Sequence, residues 1–123
     1  MPTTSDVRVV LSPASVSATV VSANTNNATV VKAAPGLLYG WSVNNINAAV
    51  RYLKFYNKAS APAPADDAEM LVVAVPAASG QTVMFPVPLE FTVGISWALV
   101  TGIAANDNTS VSASEHVVTV FYA

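Results

Sequence analysis

Apolar and polar residues alternate with a period of two through much of the chain, the spacing of a strand with one face buried. The pattern is densest over residues 37–57. In its first half Leu37, Tyr39, Trp41 and Val43 fall on one face, and Leu38, Gly40 and Ser42 on the other. In its second half Leu53 and Phe55 share a face with Arg51 and Asn57, while Tyr52, Lys54 and Tyr56 take the opposite one. Asn44, Asn45 and Asn47 lie between, and asparagine favours turns because it tolerates left-handed backbone and bonds its own main chain. The stretch reads as a hairpin at the centre of a β-sandwich, and it holds five of the ten aromatic residues.

The rest of the chain follows the same rule in shorter pieces. Residues 7–11 predict a brief strand ended by Ser12-Pro13, and residues 15–23 alternate Val16, Ala18 and Val20 against Ser15, Ser17 and Thr19. A turn at 24–27 leads to a strand over 29–33, closed by Pro35-Gly36. The Ala/Pro-rich segment 59–68 cannot pair in a sheet centre, because proline lacks the N–H, and reads as an extended surface loop within the domain. Beyond it come a strand over 69–75 stopped by Pro76, a turn at Ser79-Gly80, and a strand over 81–85 ended by Pro86-Val87-Pro88. Residues 91–93 and 95–100 flank a bend at Gly94, with Ile95, Trp97 and Leu99 on one face; a polar loop over 104–114 precedes a last strand at 117–122. Eight or nine short strands and no helical window predict an all-β fold, an antiparallel β-sandwich of jelly-roll type. One domain spans 1–123, with a short polar arm at about 1–6.

Composition adds one sharp anomaly. Charged residues make up 10% of the 123, against about 25% in ordinary soluble domains. A globule of this size exposes on the order of 6,000 Å², which leaves roughly one charge per 500 Å². Such a surface is either solvated by Ser, Thr and Asn or covered by a partner, since large bare apolar patches are rare on monomers. Net charge is −2 without a basic run, which argues against nucleic-acid binding. No apolar stretch approaches the length that spans a membrane, and the first residues have neither the cationic nor the apolar region of a secretory signal. Cysteine is absent, which excludes disulfides and thiol chemistry.

Candidate chemistry is thin. His116, the single histidine, follows Ser114 and Glu115, but neighbours in one strand point to opposite faces, whereas a triad needs its members to converge from separate positions. Asp66, Asp67 and Glu69, or Asn106-Asp107-Asn108, contain calcium-ligand types without the spacing of a defined loop, so solvated loop acids are the plainer reading. Glu90 and Glu115 lie on separate segments, with nothing to bring them together as a hydrolytic pair. Trp41 and Trp97 each sit in an apolar stripe and read as core rather than as a sugar-stacking platform. Tyr52, Lys54 and Tyr56 are the interface candidates, because Leu53 and Phe55 claim the core face and amphipathic tyrosines are enriched at interfaces. No catalytic, cofactor-binding or metal-ligating residue is assigned.

Leu38-Tyr39-Gly40-Trp41, the string from Val50 through Arg51-Tyr52-Leu53-Lys54-Phe55-Tyr56 to Asn57, the turn from Val75 to Gly80 and the closing Val117-Val118-Thr119-Val120-Phe121-Tyr122 resemble small virion proteins of tailed bacteriophages. The resemblance runs over most of the chain after about Thr29. It implies a β-sandwich virion protein, non-enzymatic and free of cofactors, of the capsid decoration or cement type. The implied partner is the major capsid protein, with self-association, most simply as a trimer, accounting for the sparse charge. The alternative is a carbohydrate-binding module of a phage tail or fibre, which predicts an exposed aromatic pair flanked by Asn or Asp. An enzyme would need a cleft containing His116 and a carboxylate.

Overall fold

The computed structural model describes residues 15–123; the expected polar arm and the strand over 7–11 lie outside them. Eight strands form among the described residues, and no helix: β1 (Val16–Val21), β2 (Thr29–Lys32), β3 (Gly36–Asn45), β4 (Arg51–Asn57), β5 (Leu71–Val75), β6 (Ser79–Phe91), β7 (Ile95–Val100) and β8 (His116–Tyr122). They make two antiparallel four-stranded sheets, ordered β1-β8-β3-β6 and β2-β7-β4-β5. The chain changes sheet at every connection except the one from β4 to β5. The architecture is that of a β-sandwich. Its core takes Leu38, Trp41, Val43, Val118 and Val120 from one sheet and Leu53, Phe55, Val73, Val75, Trp97 and Leu99 from the other.

The predicted hairpin is corrected. Both of its strands exist, but β3 pairs with β6 and β8 while β4 pairs with β5 and β7. Residues 46–50 therefore arch from one sheet to the other. The reason is burial: side by side in one sheet, β3 and β4 would turn their apolar faces the same way and could not cover each other. As an arch they cover each other, and the Trp41 and Phe55 rings meet across the sheets with centroids 5.5 Å apart. Asn45 fixes the arch, donating through its side-chain amide to the carbonyls of Ala49, Val75 and Pro76 at 3.0, 3.3 and 3.1 Å.

The face assignment within β3 also changes. Leu38 is buried with Trp41 and Val43, and Leu37 and Tyr39 are only half-buried, because the register shifts between Leu38 and Gly40. Gly40 is required at this irregularity: a Cβ there would run into the Val83 carbonyl oxygen and the Met84 side chain.

Pro86-Val87-Pro88 does not end a strand. β6 runs on through both prolines to Phe91, and Met84 pairs with Gly40 while Leu89 pairs with Leu38. The residues between them bulge out of the ladder, and β6 is an edge strand, the place where a missing N–H costs nothing. The turn expected at Ser79-Gly80 falls earlier, at residues 76–78, where Ala78 has φ of 50°. In β7 the other face, Ser96, Ala98 and Val100, is buried along with Ile95, Trp97 and Leu99. That second face is covered from outside the sandwich by the long connections.

Candidate interaction surface

Tyr52, Lys54 and Tyr56 alternate with Leu53 and Phe55 and point away from the sandwich core, as their spacing predicts. That outer face is not free surface, however. Lys54 and Tyr56 are buried, and Tyr52 alone of the three is half-exposed. The long connections over 58–70 and 101–115 reach back across the β4–β7 face. The Lys54 ammonium donates to the Ala104 carbonyl at 2.6 Å and pairs with Glu69 Oε1 at 3.2 Å, so one buried cation holds both connections. Burial and the nearby Glu69 and Asp67 carboxylates push the Tyr56 phenol up to about 12, and its hydroxyl has no hydrogen-bond partner.

The loop acids are engaged inside the protein. Asp67 accepts from the Ala63 amide at 2.7 Å and from Lys58 Nζ at 2.6 Å, and these bonds hold its carboxyl below the usual range. Asp107 is lowered chiefly by the Thr109 hydroxyl and amide, at 2.6 and 3.0 Å. Neither group gathers three metal-ligating side chains among the described residues. Glu90 and Glu115 lie at opposite ends of the sandwich, Glu90 beside Leu37 and Glu115 bonded to Asn47 in the arch.

His116 is buried at the start of β8, and its serine neighbour in space is Ser22, not Ser114. Ser22 Oγ lies 3.4 Å from His116 Nδ1, donates to the Ser112 carbonyl at 2.8 Å and accepts from the amides of Glu115 and His116. The hydroxyl is thus committed to stapling the end of β1 to the approach of β8. Burial, with Arg51 adding to it, holds the imidazole below its ordinary pKa against the opposing pull of Glu115. Sequence reading could not find this pair, because its members stand 94 residues apart.

Both tryptophans are in the core, Trp41 edge-on to Phe85 at 5.3 Å and Trp97 fully buried. What remains at the surface is mostly uncharged, a mixture of Ser, Thr and Asn side chains with apolar ones. Of ten charged residues among those described, Asp66 and Glu90 alone are exposed, and the rest are half-buried or buried. Two apolar features stand out. One is the groove between the edge strands β5 and β6, about 470 Å³ in volume and lined by Leu71, Phe85, Val87, Pro88 and Leu89. The other is the tip of the sandwich, where the arch residues Ile46, Ala48, Ala49 and Val50 and the turn residues Pro76, Ala77 and Ala78 are all exposed. The Pro86-Val87-Pro88 signal in the sequence marks the edge on which the groove lies; nothing in the alternation marks the tip.

Comparison with protein-family models, curated proteins and solved structures gave no match.

Proposed function

We propose that this protein is a non-enzymatic structural component of a tailed-phage particle, a decoration or cement protein that covers seams between copies of the major capsid protein. The observation that carries the reading is the withdrawal of charge from the surface. Lys54 is spent in a buried pair, Lys58 and Asp67 pair with each other, and apolar side chains are left on the groove and the tip. A surface of that kind gains more from being covered than from being solvated. The strand order supports a jelly-roll reading of the sandwich. The orders β1-β8-β3-β6 and β2-β7-β4-β5 set each strand in the same place as its chain neighbour in the other sheet, the winding of a paired ribbon. The segments that resemble small virion proteins include all of β4 and most of β8. Self-association, with a trimer as the working stoichiometry, belongs to the same reading. The sugar-binding alternative is less favoured, because both of its tryptophans are core residues.

The test is thermal rupture of phage shells lacking the protein, with and without its addition. A ligand that binds only the intact shell stabilises it by mass action, so the rupture temperature should rise and saturate at a fixed stoichiometry per coat subunit. The effect should depend weakly on salt, since few charges are available to screen. Unchanged rupture, with the chain found at the tail and none on the shell, would overturn the reading.

A further inference from the structure

We propose that β1 is a proton-released strand: protonation of His116 dismantles the Ser22 junction that fastens β1 to β8, while the rest of the sandwich stays closed. The proposal is independent of the virion reading. β1 is a strand the fold can spare. It ends its sheet and has one neighbour, β8. None of its residues is buried, the core takes no member from it, and Val20 is its one side chain packed against that core. The chain just beyond is held separately. Asn27 ties residues 23–27 into a turn, accepting from the Ala23 amide at 2.7 Å and donating to the Ala23 and Thr25 carbonyls at 3.0 Å each. The carbonyls of Asn26 and Thr25 in turn accept from the amides of Leu99 and Val111, at 2.7 and 3.1 Å. β1 can therefore leave as far as Ser22 without taking the turn with it.

Ser22 is where β1 is fastened. Its amide donates to the His116 carbonyl at 2.8 Å, and its carbonyl accepts from the Ser114 amide at 2.7 Å. Its hydroxyl accepts from the amides of Glu115 and His116 at 3.2 and 3.1 Å and spends its one hydrogen on the Ser112 carbonyl. Toward His116 Nδ1 that hydroxyl can only accept, and the contact is long, 3.4 Å, because two amides already share the oxygen. The neutral imidazole thus carries its hydrogen on Nδ1 and its lone pair on Nε2. Nε2 is buried without a partner, and a second proton has nowhere else to go.

That position is a poor host for a charge. His116 faces the sandwich interior in line with Val118 and Val120. Arg51 lies on the inward face of β4 with Leu53 and Phe55, and its Nε is likewise buried without a partner. Its guanidinium is the cation whose charge reaches the imidazole, and Glu115 is the one opposing charge. The Glu115 carboxylate is bonded to Asn47 in the arch, and the neighbours Ser22 and Asn45 are uncharged. A proton on Nε2 would make a buried donor with no acceptor, within reach of a like charge, and that cost drives the ring out to water. The His116 amide and carbonyl both bond Ser22 and move with the ring. With Ser22 loose, β8 becomes the edge of its sheet and presents unpaired backbone groups open to strand addition.

The experiment is amide hydrogen exchange on the full chain, followed by NMR from pH 7 to 4 and corrected for the intrinsic rate at each pH. The opened form takes up its proton at the ordinary 6.5 and the closed form only at lower pH. The opening constant read at the Ser22, Ser114, Glu115 and His116 amides should therefore rise, by up to about tenfold per pH unit, as pH falls from 6.5, and level off below the folded pKa. The Leu99 amide, bonded to Asn26 beyond Ser22, should keep its protection. In His116→Gln the four amides should lose their pH dependence. Arg51→Gln removes the facing charge and should make the rise smaller while leaving it in place. The imidazole nitrogen shifts of the native protein read the tautomer without any variant and should place the hydrogen on Nδ1. Unchanging protection at the four amides, an equal rise at Leu99, a rise that survives His116→Gln, or a hydrogen on Nε2 would each overturn the proposal.

Discussion

Lys54 and Glu69 form an ion pair at 3.2 Å with the lysine side chain fully buried and the carboxylate nearly so. The pair lies on the outer face of the β2-β7-β4-β5 sheet, where the two long connections converge. Removing one member of a buried pair strands the other charge. Glu69→Ala should therefore destabilise the protein by about 3 kcal/mol, read from the midpoint of urea denaturation. Lys54→Met should cost less, because the Glu69 carboxylate that it strands is 12% exposed and reaches water, whereas the ammonium stranded by Glu69→Ala is fully buried. An equal cost for the two would show that the difference in burial between the two stranded charges does not matter.

At Gly40 the close approach of β6 leaves no room for a side chain. The obstructing atoms include the Val83 backbone, which cannot rotate away as a side-chain end could. Gly40→Ala should lower stability by about 1–3 kcal/mol, the usual cost of overpacking. Gly80→Ala serves as the comparison, because its obstruction is the Asn44 side chain, which is exposed and free to move. A larger loss at Gly80 than at Gly40 would refute the account of the β3 irregularity.

Alternation makes the strands legible, and with them the sandwich class and most inward-facing residues of β1, β4 and β7. It states which face a residue occupies and not which strand lies beside it. That is why β3 and β4 read as a hairpin although they belong to opposite sheets. A single register shift moves Leu38 to the buried face, and no local signal announces it. The burial of Lys54 and Tyr56 depends on Glu69, reached through a connection of 13 residues, and on Ala104, 50 positions from Lys54. Two-residue periodicity carries no information at that range. The proline pair is the instructive case: it is a sound sign that β6 cannot be a central strand, and it marks an edge and a bulge, not an end.

Tyr56 carries a buried hydroxyl with no hydrogen-bond partner. Leaving such a group unpaired costs about 1–3 kcal/mol. Tyr56→Phe keeps the ring and removes the penalty, so it should leave stability unchanged or raise it by about 1 kcal/mol. A loss of stability on chemical denaturation would mean that the hydroxyl is bonded in solution.

The titrating groups together predict a plateau of stability bounded on both sides. His116 is held below its ordinary 6.5 by burial and by Arg51, so the unfolded chain takes up a proton first as the solution is acidified. Its contribution is complete above pH 6.5 and declines as pH falls from there towards its folded pKa. Asp67 and Asp107 are lowered from 3.8 in the folded protein, so what they contribute is present above that value and is lost as pH falls through their folded values. The acid limb should thus fall in two stages, the first due to the imidazole and the second to the carboxylates. On the alkaline side Tyr56 is raised from 10.0 to about 12. The unfolded phenol ionises first, and stability is lost as pH climbs from 10 to about 12. Urea midpoints measured from pH 2 to 12 should trace this profile. His116→Gln should flatten the first acid stage and leave the second in place, whatever it does to overall stability, and Tyr56→Phe should flatten the alkaline limb. If the first acid stage keeps its slope in His116→Gln, the imidazole is not the group that produces it.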